Sequence, residues 1–278
     1  VFRFGRKSGE NIFHWNITSG IYTNDLRIDV VVHCAATVSD WASYDESYAG
    51  NVLGTQNVVN SFPTAFSFIY ISSGSVYSPY CKETIITEST CVGGVGLNAY
   101  GKTKLLGEKI VENSSIKSKV ILRPHIIYGP GDTTIGPRIR KAIRGNRFIV
   151  PGDGKNRISF THVENLASAI DQSILYAKNG ICIYNITDAE SPVFNDAINA
   201  FKKLNDFSFV TVHIPKLVAG VIATVLQFVY KIFKVKHAPV LTPYIVHQMT
   251  SDHIFDISAA QKDLRYSPTK RYDNDFYI

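Results

Sequence analysis

The apolar positions of this chain fall into short runs set apart by polar stretches of helical length. Residues 1–4 and 12–15 read as two short strands, joined by the turn Gly5-Arg6-Lys7-Ser8-Gly9. Residues 29–34 form a continuous apolar run, the pattern of a strand buried on both faces of a parallel sheet. Residues 44–62 have helical spacing, with Val52, Gln56 and Val59 near one face and Asn51 inside the helix. A second apolar strand, 66–71, ends in Ser72-Ser73-Gly74-Ser75-Val76-Tyr77. A helix over 98–112 follows, and a strand over 119–123 is stopped by Pro124. Strands alternating with helices at this spacing imply βαβ units, so the expected class is α/β with a doubly wound parallel sheet.

Beyond Asp132 the alternation loosens. The pattern predicts a basic helix over 137–147, a strand over 158–162 leading into a helix over 164–177, then strand 181–185, helix 196–204 and strand 210–214. Residues 1–150 read as the sheet core. Residues 151–278 read as a mixed segment that completes the core and adds a smaller substrate lobe. Residues 217–233 are the most apolar stretch, yet shorter than the ~20 apolar residues a membrane span needs. A buried or lid helix is the first reading. A helix lying on a membrane surface, with Lys231, Lys234 and Lys236 at head-group level, is the second.

Composition narrows this little. With 45% hydrophobic and 19% charged residues a sizeable core is available. The net charge of +6 is spread along the chain, apart from Lys231, Lys234, Lys236 and His237, so no basic stripe marks a nucleic-acid binder. Cys34, Cys81, Cys91 and Cys182 show no metal-ligand spacing and no dense disulfide framework. That favours a reducing, cytoplasmic compartment, and no metal is expected. With Met249 the only methionine and Val1 first, the sequence is expected to lack its natural start.

The chemistry concentrates in Ser73 and in Tyr100-Gly101-Lys102-Thr103-Lys104. Tyr100 and Lys104 are spaced i, i+4 and share a helix face. An ammonium beside a phenol favours the phenolate, which lets the phenol exchange a proton with a carbonyl or alcohol. By itself the spacing is weak. With 15 tyrosines and 18 lysines in 278 residues, about one such pair arises by chance, and motif matches carry that risk. There are three: Tyr100/Lys104, Tyr230/Lys234 and Tyr266/Lys270. Tyr230/Lys234 has no hydroxyl-bearing strand before it, and Pro268 breaks the third. Only Tyr100/Lys104 follows a strand ending in serines, at the sheet edge where parallel α/β proteins place ligands.

Taken in order, His33-Cys34-Ala35-Ala36, Asn51-Val52-Leu53-Gly54-Thr55, the Ser72–Tyr77 run, Tyr100-x-x-x-Lys104, Arg123-Pro124-His125-Ile126-Ile127-Tyr128-Gly129-Pro130-Gly131-Asp132 and Phe255-Asp256-Ile257-Ser258 resemble the extended short-chain dehydrogenases/reductases. Within them they resemble the 3β-hydroxysteroid dehydrogenase group, with its sterol-4α-carboxylate 3-dehydrogenase and 2-alkyl-3-oxoalkanoate reductase relatives. The resemblance implies a Rossmann-like fold and a catalytic set of Ser73, Tyr100 and Lys104, with Asn51 ordering a relay water. It places Asn16, Ile17, Ala35 and Ala36 on the adenosine side of a dinucleotide and Lys104 on its ribose. Tyr100, Pro124 and Ile127 would lie near the nicotinamide, with Ser73, Ser75 and His125 toward the substrate. His125 reads equally well as a packed histidine.

In the resembled fold users of NAD carry an acid at the end of the second strand, and here Gly5, after residues 1–4, falls at roughly that position. Arg6 and Lys7 follow and suit a 2′-phosphate, so NADP is the expected cofactor, with NAD the alternative. The glycine-rich turn of the resembled family is not found ahead of Val1. The chain alone is therefore expected to bind dinucleotide poorly. Three functions compete. The first is an oxidoreductase on a secondary alcohol or ketone of an apolar substrate. The second is a nucleotide-sugar epimerase or dehydratase, disfavoured by Ile158 where sugar enzymes carry an arginine. The third is a catalytically silent binding or membrane-surface module. Expected partners are a small apolar substrate, a peripheral membrane contact through 217–236 (at the endoplasmic reticulum in a eukaryote) and a second copy in a homodimer.

Overall fold

The computed structural model describes residues 1–278 except Ser8, Asn24, Lys82, Ala177, Lys236, Tyr277 and Ile278. The Ser8 position of the expected first turn, the Ala177 end of the expected helix and the Lys236 cation thus lie outside the described residues. In chain order come β1 (Arg3–Gly5), β2 (Ile12–His14), β3 (Val30–His33), α1 (Tyr44–Tyr48), a π-helical stretch (Ala49–Leu53), α2 (Gly54–Ser61), β4 (Ser67–Ile71), β5 (Ile85–Ile86), α3 (Ala99–Glu112) and β6 (Ser118–Pro124). Then follow β7 (Ile127–Tyr128), α4 (Ile135–Ala142), β8 (Ile143–Arg144), β9 (Arg147–Pro151), β10 (Thr161–His162), α5 (Val163–Leu175), β11 (Gly180–Ile186), α6 (Phe194–Leu204), β12 (Val210–Ile214), α7 (Lys216–Ile232), α8 (Pro243–Thr250), β13 (Ile254–Phe255), α9 (Ser258–Leu264) and α10 (Tyr272–Asp275).

The chain divides into two compact units. One comprises Val1–Tyr80, Cys91–Arg123 and Ser173–Ile183; the other comprises Cys81–Thr90, Pro124–Gln172 and Tyr184–Ile278. In the first, the sheet order is β11-β6-β4-β3, with β3, β4 and β6 parallel. Every residue of β4 is buried, as a central strand between two helical layers requires. Val32 is 38% exposed because β3 is the edge of this sheet among the described residues, so the expected two-sided burial of 29–34 holds only in part. β1 and β2 pair with each other in a separate parallel ribbon. The Phe4 ring lies 5.1 Å from Tyr22, 5.7 Å from Phe62 and 6.0 Å from Trp15, which seats the ribbon on the apolar layer that also holds Val58, Phe68 and Ile121.

The second unit is built on the ladder β12-β9-β8, in which β12 and β9 are parallel and β8 and β9 antiparallel. Its core is aromatic: Tyr128, Phe148, Phe160, Phe201 and Phe276. Two expectations fail here. The basic helix stops at Ala142, and 143–151 is a hairpin turning through Gly145 at φ +59. The extended Ile143 ends the helix, the left-handed Gly145 turns the hairpin, and Ile143, Phe148, Ile149 and Val150 favour strand. The apolar helix α7 is not buried: Ala219 and Ala223 pack near Val246 of α8, while Leu217, Val221 and Phe228 face solvent. Cys34 and Cys182 are free thiols.

Candidate active site

The first unit assembles the Tyr/Lys helix against the end of β4. Asn98 caps α3, its Oδ1 accepting the Gly101 N–H at 2.8 Å. Two glycines let the helix lie close. A Cβ at Gly101 would sit 2.3 Å from the Ser75 carbonyl oxygen, and one at Gly107 would sit 2.2 Å from the Tyr70 hydroxyl. Alanine normally stabilises a helix interior relative to glycine. Gly101→Ala is instead expected to cost about 1–3 kcal/mol, because the new methyl meets backbone that cannot yield. Urea unfolding checks the sign, and a neutral or stabilising result would contradict this seating.

Ser73 follows β4 in extended conformation, and its Oγ accepts the Ser75 N–H at 3.1 Å, starting the 3-10 turn Gly74–Val76. Its hydroxyl hydrogen is left to donate. Tyr100 is half-buried in the first turn of α3. Lys104, one turn later, is 1% exposed. Its Nζ donates to the Ile71 carbonyl at 2.6 Å and lies 4.0 Å above the Tyr70 ring. Burial lowers the Lys104 pKa from 10.5 to about 7, against the opposing pull of Glu108.

The unfolded chain holds this lysine's proton up to about 10.5, whereas the folded chain releases it near 7. The burial penalty is therefore full below about 7 and relaxes as pH rises toward 10.5, so this group's contribution to stability rises across that window. Lys104→Met is expected to flatten that rise. Denaturation at roughly pH 6 and roughly pH 9 measures it, and an unchanged slope would count against the assignment.

Asn51 lies in the π-helical stretch and is 1% exposed. Its Oδ1 accepts the Thr37 N–H at 2.7 Å. Its Nδ2 donates to the Thr37 carbonyl at 3.2 Å and to Thr103 Oγ1 at 3.0 Å. Asn51 thus ties the loop after β3 to α3. π-turns of this kind recur at functional sites.

A buried charge network escaped the sequence reading. Glu108 accepts from Arg123 Nε at 2.9 Å and Nη2 at 2.7 Å, and from Ser72 Oγ at 2.5 Å. Arg123 Nη1 donates to the Tyr77 hydroxyl at 3.0 Å. Glu108 and Arg123 are 0% and 3% exposed. Burial alone would lower the Arg123 pKa; the hydrogen bonds and charge of Glu108 more than reverse it. The network clamps the ends of β4 and β6 to α3. The signal was in the sequence: Tyr100, Lys104 and Glu108 continue one i, i+4, i+8 stripe.

The other expected residues lie on several elements. Arg6 and Lys7 are exposed after β1. Asn16 Oδ1 accepts the Thr18 N–H at 3.2 Å, and Ile17 packs where a Cβ on Gly54 would fall. Ala35 and Ala36 follow β3, the first exposed and the second half-buried. Ser75 supplies the carbonyl at Gly101. Pro124, His125 and Ile127 belong to the second unit. There His125 is 5% exposed, its ring 4.8 Å from Phe255 and 5.4 Å from His253. Burial holds its pKa well below the ordinary value, which describes a packed neutral histidine. Ile126 has φ +41, a strained conformation for a β-branched residue and one found where function dictates backbone. Tyr230 ends near the close of α7, and Lys234 lies beyond it, so that pair shares no helix face.

A parallel α/β sheet with a serine at its carboxyl edge and a Tyr/Lys helix seated on it defines the Rossmann-like class. Within that class, the sequence profile of the NAD dependent epimerase/dehydratase family matches residues 14–187, and the chain belongs to that family, the extended short-chain dehydrogenases/reductases. It is 27% identical over 255 residues to a 2-alkyl-3-oxoalkanoate reductase of Shewanella oneidensis, covering 86% of this chain and 66% of that protein. It is 30% identical over 259 residues to 3beta-hydroxysteroid-dehydrogenase/decarboxylase isoform 1 of Arabidopsis thaliana, covering 86% of this chain and 58% of that protein. The chain thus spans less than two thirds of the length of these curated relatives. Its fold matches UDP-glucuronic acid 4-epimerase of Bacillus cereus in complex with NAD at TM-score 0.69 and 23% identity, covering 95% of this chain and 76% of that one.

Proposed function

We propose that the protein is an NAD(P)-dependent oxidoreductase acting on CH–OH donors. Its substrate is a secondary alcohol or ketone on a bulky apolar skeleton, of the 3β-hydroxysteroid, sterol or 2-alkyl-3-oxo acid type. One observation carries the reading: Tyr100 and Lys104 share the α3 face held against the end of β4, where Ser73 keeps a hydroxyl hydrogen to donate. Ser73 orients the substrate oxygen. Tyr100 gives that oxygen a proton in reduction or takes one in oxidation. Lys104 favours the Tyr100 phenolate while it is cationic. Asn51 positions α3, and its Oδ1 has one lone pair left for a relay water.

The residues of the first unit fit a dinucleotide: the short side chains Ala35 and Ala36 after β3, the ammonium of Lys104, and the exposed Arg6 and Lys7 after β1. When bound, the nicotinamide supplies or accepts the hydride. The two cations support NADP over NAD.

The fold shared with UDP-glucuronic acid 4-epimerase supports a nucleotide-sugar reading. Against it stands Ile158, 1% exposed within the apolar core of the second unit, while Arg157 Nε is engaged by the Ser191 carbonyl at 2.9 Å. The deciding measurement is turnover by the full-length protein on a 3-oxosteroid, a 2-alkyl-3-oxo acid and UDP-glucuronate, with NADPH and NADH. Oxidation of reduced cofactor by the first two is expected. Conversion of the UDP-sugar alone would install the second reading, and no turnover of any would favour a silent binding module.

A further inference from the structure

We infer that α7 is a docking surface for an anionic lipid bilayer, on which the helix lies in the plane of the head groups. Leu217, Val221, Val225, Phe228 and Ile232 are 84%, 65%, 56%, 65% and 57% exposed. They recur at i, i+4, i+8, i+11 and i+15, so they form one continuous stripe along the helix. At 17 residues the helix is about 25 Å long. No helix among the described residues is long and apolar enough to cross a membrane. A long apolar stripe without a span is the signature of a helix that lies on a bilayer.

The occupant is set by charge. At 100° per residue, Lys216, Thr224, Gln227 and Lys231 fall on one strip between the apolar stripe and the seam that packs on α8. Lys216, Lys231 and Lys234 are exposed. Between Asp206 and Asp252 the sequence contains no aspartate or glutamate. A cationic segment that contains no acid of its own matches anionic head groups. A second copy of the chain would set the lysines of this acid-free segment against each other, so self-association through this face is disfavoured. The opposite side of α7 is already satisfied: Ala219 and Ala223 lie at 0% exposure beside Val246. The inference stands apart from the redox reading, since it uses no residue of the Ser73/Tyr100/Lys104 set.

The test is co-sedimentation of the full chain with phosphatidylcholine vesicles, with and without phosphatidylserine. Binding is expected to the anionic vesicles and to be at least tenfold weaker to the neutral ones. Phe228→Ser is expected to weaken it about tenfold. Lys231→Glu combined with Lys234→Glu is expected to remove the preference for phosphatidylserine. All three positions face solvent, so folding is retained, and circular dichroism and unfolding midpoints verify that. Absence of vesicle binding overturns the inference, as does equal binding to both vesicles. So does a solution dimer that Phe228→Ser dissociates, which would make the stripe an interface between copies.

Discussion

Tyr100→Phe is expected to lower kcat on the carbonyl or alcohol substrate by about 10²–10⁴-fold, the usual contribution of a positioned general acid–base. Phenylalanine keeps the ring and removes only the hydroxyl. Tyr100 is half-buried at the start of α3, so stability should change little. A matching fall in kcat and kcat/KM, with KM unaltered, would show that the lost interaction is made in the transition state. In the proposed mechanism Lys104 acts through the same hydroxyl. Lys104→Met added to Tyr100→Phe is therefore expected to cost much less than the product of the single effects, because groups that act as one unit are not additive. Tyr230→Phe, on the chance match in α7, is expected to leave turnover unchanged. Retention of full activity by Tyr100→Phe would remove α3 from the chemistry.

The sequence made the Tyr/Lys helix legible because two independent signals coincide there: an i, i+4 pair and a preceding strand that ends in serines. The parallel sheet was legible for a similar reason, since buried strands such as 66–71 cannot hide their apolar runs. What escaped is what depends on contact between distant segments. Glu108 and Arg123 are 15 residues apart and each looks like an ordinary charged residue until α3 is laid on β6. Gly101 and Gly107 look like poor helix residues until the Ser75 carbonyl and the Tyr70 hydroxyl are found where a Cβ would be. The α7 segment misled in the opposite direction. Its composition reads as buried, yet only its small residues are covered. Residues 143–147 look helical in sequence because their basic residues continue the polar spacing of α4, but the extended Ile143 and the left-handed Gly145 turn them into the start of the hairpin.

Arg123→Met is expected to destabilise the fold by about 3–5 kcal/mol, the cost of removing one partner of a buried ion pair. The wild-type guanidinium meets both carboxylate oxygens of Glu108 and also holds the Tyr77 hydroxyl. Methionine fills similar volume but leaves a carboxylate at 0% exposure with Ser72 as its remaining side-chain donor. Against a typical total stability of about 5–15 kcal/mol, the loss is readable by urea denaturation as a large drop in midpoint. Pairing Arg123→Met with Glu108→Met removes both charges and is expected to restore much of the loss, since a buried ion pair replaced by apolar groups of like volume is often neutral. A double variant worse than Arg123→Met alone would mean that this pair clamps β4, β6 and α3 by shape and not by charge.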